Sequence, residues 1–151
     1  MKKFDKKINK RLGELLIERG VITNDQLEKA LEEQKNSRGL IGEVIVSLGF
    51  AREEDIVYAL SVEYGFPYLP LENYDISPEV VKLIPAQVAR QYFSIPIDKI
   101  EDTLSLAMAN PLNPHAIEDI EYITKCRLQI FITTSTDVQS AIDKFYSSGS
   151  G

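Results

Sequence analysis

Residues Arg11-Leu-Gly-Glu-Leu-Leu-Ile-Glu-Arg-Gly20 return as Leu40-Ile-Gly-Glu-Val-Ile-Val-Ser-Leu-Gly49, an offset of 29 residues. The offset also maps Ala30 onto Ala59 and Leu31 onto Leu60. A repeat of this length is one supersecondary unit used twice, and it dictates how the first part of the chain folds. Each copy reads as two short helices. Leu12, Leu15 and Leu16 follow helical spacing and Gly20 stops the helix. Thr23 or Asn24 caps the next helix, whose apolar stripe is Leu27, Ala30 and Leu31. The second copy repeats this with Ile41, Val44 and Ile45, then Gly49, then Ile56, Ala59 and Leu60. Two helical hairpins related in this way predict a four-helix unit over residues 11–65.

Gly65-Phe-Pro-Tyr-Leu-Pro70 breaks the pattern, because each proline disfavours helix at the residue before it. A subdomain boundary is expected there. Beyond it, short helices are expected from Ser77-Pro78 to Leu83 and from Pro85 to Tyr92. Strands are expected over Phe93–Ile100, Thr103–Ala109 and Arg127–Thr133, with Glu101-Asp102 as a turn. A helix fills His115–Lys125, and Ser135 or Thr136 caps a last one ending near Tyr146. Strand, helix and strand in succession predict a parallel pair with a right-handed crossover. The fold class is therefore α+β: an N-terminal four-helix unit of two repeated hairpins, then a small α/β subdomain over 66–146 with a three-stranded mixed sheet. Residues 1–10 read as a basic, flexible leader, and 147–151 as a linker or cloning scar.

The chemistry expected of an enzyme is missing. The sequence carries no GxxxxGK[ST] phosphate loop and no GxSxG. Its single histidine, His115, reads as an exposed first-turn residue, and its single cysteine, Cys126, as a buried small apolar one. No catalytic residue, metal site or tightly held cofactor is expected. Acid pairs such as Glu53-Glu54-Asp55 and Glu118-Asp119 read as helix-dipole partners and solvated charge. A net charge of −6 argues against nucleic acid as a partner. No apolar run is long enough to cross a bilayer and no signal-peptide core follows the basic start, so a cytoplasmic location without membrane insertion is expected.

The residues that stand out lie on the repeat. Gln34 falls seven residues after Leu27, and Glu63 holds the same place after Ile56. A polar group on an inward stripe needs a partner. Gln34 either bonds the neighbouring hairpin or, with Arg11, flanks a ligand. Arginine stacks on guanine and bonds phosphate, and Gly13 and Gly20 would let a planar ligand approach the backbone.

Arg11, Leu12, Gly13, Leu16, Ile17, Gly20, Val21, Ile22, Leu27, Leu31 and Gln34 match every defined position of a long motif. That motif belongs to the cyclic di-GMP-binding N-terminal domains of bacterial type II secretion and type IV pilus assembly ATPases, and this chain resembles them. Residues 35–39 then correspond to the spacer and 40–63 to the second copy. Ser94-Ile-Pro-Ile, Leu104-Ser-Leu-Ala-Met-Ala-Asn-Pro-Leu and the ending Phe145-Tyr146 resemble the family's α/β part. The second copy departs from the motif: Leu40 stands for its Arg, Ile41 for its Leu, Ala51 for an aliphatic and Glu63 for its Gln, while Asn110 stands for a frequent Asp. A carboxylate at Glu63 opposes a ligand carrying two phosphates. Arg38 is a candidate to replace the lost arginine.

The resemblance implies a non-catalytic docking and regulatory domain that tethers its own ATPase motor to the cytoplasmic domain of an inner-membrane platform protein, peripheral to that membrane. It implies cyclic di-GMP as a possible regulatory ligand, with Arg11, Leu12, Gly13, Leu16, Gly20, Leu27, Leu31, Gln34, Arg38, Ile41, Gly42 and Glu63 as the candidate binding residues. Arg11 and Gln34 would read phosphate and guanine, and Leu12, Leu16 and Leu27 would contact the ligand apolarly. Since the family's hexamers form through the motor domains, this part is expected to be a monomer.

Overall fold

The computed structural model describes residues 3–36, 41–72, 74–111 and 113–147, and of residues 3–10, 114 and 147 the backbone alone. The chain divides into two units, Met1–Gly65 and Phe66–Gly151.

The first unit holds α1 (Lys3–Glu18), α2 (Asn24–Gln34), α3 (Ile41–Ser47) and α4 (Glu53–Tyr64). The helix expected to begin near Arg11 begins at Lys3, so most of the basic leader is helical. Phe4 and Ile8 extend the spacing of Leu12 and Leu15 backwards, a signal hidden among the lysines.

The two copies reuse the same local devices. Gly20 and Gly49 end α1 and α3 in the left-handed region, at φ of 76° and 81°. In each, the next amide reaches back to close a Schellman turn: Val21 N–H to Leu16 O at 2.9 Å and Phe50 N–H to Ile45 O at 3.1 Å. Thr23 caps α2 by accepting from Gln26 N–H, while the Gln26 side chain accepts from Thr23 N–H. One repeat later, Asp55 accepts from Arg52 N–H at 3.0 Å. Packing crosses the copies: α4 lies against α1 and α3, and α2 lies mainly against α3. Leu16, Ala30, Ile41, Ile45 and Ala59 form the dry interior.

The second unit holds α5 (Pro78–Val81), α6 (Ala86–Tyr92), β1 (Ser94–Ile100), β2 (Thr103–Met108), α7 (Pro114–Thr124), β3 (Arg127–Ile132) and α8 (Ser135–Ser147). The sheet order is β1-β2-β3, antiparallel between β1 and β2 and parallel between β2 and β3, the mixed sheet that the strand–helix–strand pattern implies. Ile84, Ile95, Leu104, Leu106, Met108, Ile120, Val138 and Ile142 are fully buried around it. The boundary segment is extended and continues the sheet: Leu69 N–H donates to Ile132 O and Ile132 N–H to Pro67 O, at 2.9 and 2.8 Å. Several ends shift by one or two residues from expectation, and two of the differences have a visible cause. Phe93 is not in a strand but closes α6 at φ 45°, a left-handed stop without glycine. The last helix is capped from one residue earlier, by Thr134 Oγ1 accepting from Asp137 N–H. Asp137 in turn accepts from Leu71 N–H at 3.2 Å, tying the boundary segment to α8.

Candidate functional site

Arg11 sits in the middle of α1 and Glu63 near the end of α4, the first and last positions of the two-copy motif. Because α4 lies against α1, the two meet across a sequence separation of 52. Arg11 Nε donates to Glu63 Oε2 at 3.0 Å and Nη2 to Glu63 Oε1 at 3.1 Å, a two-pronged fork. The remaining nitrogen, Nη1, lies 3.4 Å from Glu14 Oε2 and 3.8 Å from Glu18 Oε1. Three carboxylates thus surround one guanidinium. The hydrogen bonds from Arg11 hold the Glu63 carboxyl below the usual carboxylate range, and the Glu63 partner raises the guanidinium above its own. The pair is open to water, with side chains 37% and 31% exposed, so it is electrostatically exchangeable rather than locked in the core.

The other candidate residues divide by depth. Leu12, Leu16 and Ile41 are interior, at 5%, 0% and 1% exposure. Leu12 and Leu16, expected to contact a ligand apolarly, are packed in the helix core. Gly13 of α1 faces Leu27 of α2. A β-carbon there would stand 2.7 and 2.8 Å from the two methyls of Leu27, so Gly13 is a close-packing position. Gly42 repeats the contact against Ile56, at 3.0 Å. Gly20, with open space around it, is a helix stop. Leu31, expected on the inward stripe, stands 38% exposed, and Ala30 takes the inward place at 0%. Leu27 and Gln34 are half-buried. Arg38 and Leu40 lie outside the described residues, as does the tail from 148 onward.

Reading along the chain missed two features. Arg11 meets Glu63, a contact signalled only by their being the two ends of one repeated motif. The outward row of α4 is apolar: Tyr58 is 59% and Val62 58% exposed, one helical turn apart, and the Arg19 guanidinium lies 4.5 Å from the Tyr58 ring centroid.

The second unit holds no comparable cluster among its described residues. Its concavity of about 450 Å³ is lined by Val81, Ile84, Pro85 and Tyr146, with Lys82 and Lys144 also in its wall. Tyr146 is structural: its hydroxyl donates to Val81 O or Ile84 O at 3.1 or 2.9 Å, and burial pushes the phenol up to about 12. His115 is exposed in the first turn of α7, and Cys126 is buried with Sγ donating to Thr124 O. Among the described residues no cluster of His, Cys, Asp and Glu could hold a metal, and no helix is long and apolar enough to cross a membrane.

Comparison with known proteins places these features. The MshEN domain family matches residues 64–151. The type IV pilus assembly ATPase PilB of Myxococcus xanthus (strain DK1622) is 32% identical over 136 residues, 90% of this chain; the chain spans only 24% of that relative. The structure of MshE with cdg is similar at 29% identity and a TM-score of 0.76, covering 89% of this chain and 98% of that one. The N-terminal domain of XpsE shares the fold at 21% identity and a TM-score of 0.78, covering 91% of this chain and 94% of that one. The chain belongs to the MshEN domain family, the N-terminal domain of type II secretion and type IV pilus ATPases.

Proposed function

We propose that this domain is a non-catalytic docking module that seats its ATPase motor on the cytoplasmic domain of an inner-membrane platform protein, and so works in the cytoplasm at that membrane. The observation that carries this reading is the outward row of α4. Tyr58 and Val62 stand exposed with Arg19 stacked on the tyrosine. Tyrosine and arginine together are the residues that anchor protein interfaces, and a helix row of this kind fits a groove with apolar sockets and an acid for Arg19. The test is a pull-down with the platform protein's cytoplasmic domain, comparing the wild type with a Tyr58→Ala, Val62→Asp double variant. The wild type is expected to associate and the variant to lose at least about tenfold in affinity. No association of the wild type at about 50 μM overturns the reading.

A second reading is a cyclic di-GMP sensor acting on that motor. It is supported by the complete first motif, Arg11 to Gln34, and by the likeness to MshE, whose structure holds cdg. Calorimetric titration of cyclic di-GMP into the chain tests it. Saturable heat at micromolar ligand supports sensing; no heat at millimolar ligand overturns it.

A further inference from the structure

We infer that Glu63 is a built-in competitor anion that decides whether Arg11 accepts a phosphate ester, making it the specificity-determining residue of the helical unit. This inference rests on the sensing reading of the same site.

Carboxylates and phosphates take a guanidinium in the same way, two oxygens against two parallel N–H groups. The Nε–Nη2 edge of Arg11 is already filled in that geometry by the two oxygens of Glu63, at 3.0 and 3.1 Å. The opposite nitrogen faces Glu14 and Glu18, at 3.4 and 3.8 Å. One positive and three negative charges leave the cluster at −2, so an incoming phosphate meets net repulsion until a carboxylate yields. Glu63 is the carboxylate that must yield. Glu14 and Glu18 belong to α1 itself and travel with Arg11, whereas Glu63 arrives from α4. The pair is also exposed enough to exchange, and the hydrogen bonds from Arg11 keep Glu63 charged and competing. Glutamine at this position keeps the length and one acceptor but removes the competing charge.

The experiment titrates cyclic di-GMP into the wild-type chain, Glu63→Gln, Glu63→Ala and the double variant Arg11→Ala, Glu63→Gln. Circular dichroism checks each variant for folding. Both single variants are expected to bind at least about tenfold tighter than the wild type, with the gain erased in the double variant. Wild-type binding that neither substitution strengthens overturns the competitor role while leaving the sensing reading intact. Absence of binding in all four proteins overturns both. A gain that survives Arg11→Ala overturns the assignment of the phosphate to Arg11.

Discussion

Leu31 in the first copy of the repeat is 38% exposed, while Leu60, its counterpart in the second, is 6% exposed. The two copies agree in their Schellman stops, in the side chain that accepts from the N-cap amide three residues before it, and in the glycine that receives a side chain of the following helix. What differs is how much of each helix its neighbours cover. α4 lies against both α1 and α3 and buries Val57, Ala59 and Leu60, whereas α2 lies mainly against α3 and buries only Ala30. Local devices are copied by the repeat, but burial is assigned by position in the bundle. The polar ends diverge in the same way. Gln34 closes the less covered helix, and Glu63 closes the one that reaches Arg11.

The largest test of this comparison is truncation of the paired leucines. Leu60→Ala is expected to cost about 2–3 kcal/mol through a buried cavity, and Leu31→Ala less than about 1 kcal/mol, both read by chemical denaturation. Equal costs would mean that the copies are equivalent in solution. A smaller contrast lies in the glycines. Gly13→Ala forces both methyls of Leu27 aside and is expected to cost about 1 kcal/mol even after the gain in helix propensity. Gly42→Ala presses on Ile56 at 3.0 Å by a few tenths of an ångström and is expected to be neutral within about 0.5 kcal/mol. The smallest effect concerns pH. The folded carboxyl of Glu63 is held below its unfolded value, so its contribution is present above the unfolded pKa and is lost as pH falls through the folded one. Melting temperature followed into acid should therefore fall less steeply for Glu63→Gln than for the wild type. Parallel acid limbs would show that the fork adds nothing to folding.

The repeat made most of the first unit legible, because helix stops and caps are local events written in a few residues. Gly20, Thr23 and Gly49 each act within four residues of themselves. The alternation of Thr103–Met108 and the helix that follows implied the mixed sheet for the same reason. Non-local choices were not legible. Leu31 and Leu60 follow the same alanine at the repeat offset and differ in their flanks, Lys29, Glu32 and Glu33 against Tyr58, Ser61 and Val62, while how far each is covered is settled by the bundle. The contact between Arg11 and Glu63 spans 52 residues, and the sequence showed the charge at Glu63 without showing what it meets. Phe93 looked like strand because an aromatic before Ser94-Ile-Pro-Ile usually is; its positive φ is imposed by the need to stop α6 where no glycine is available.

An outer strand with free amides and carbonyls invites a second molecule to add to it. At the end of β3, Pro67-Tyr-Leu-Pro70 bonds Ile132 in both directions and itself carries two prolines without N–H groups. The stretch that follows the first unit thus also shields that end of the sheet edge. When the α/β unit is excised, the cut belongs before Phe66; a cut at Leu71 removes this partner and leaves the Ile132 end of β3 uncovered.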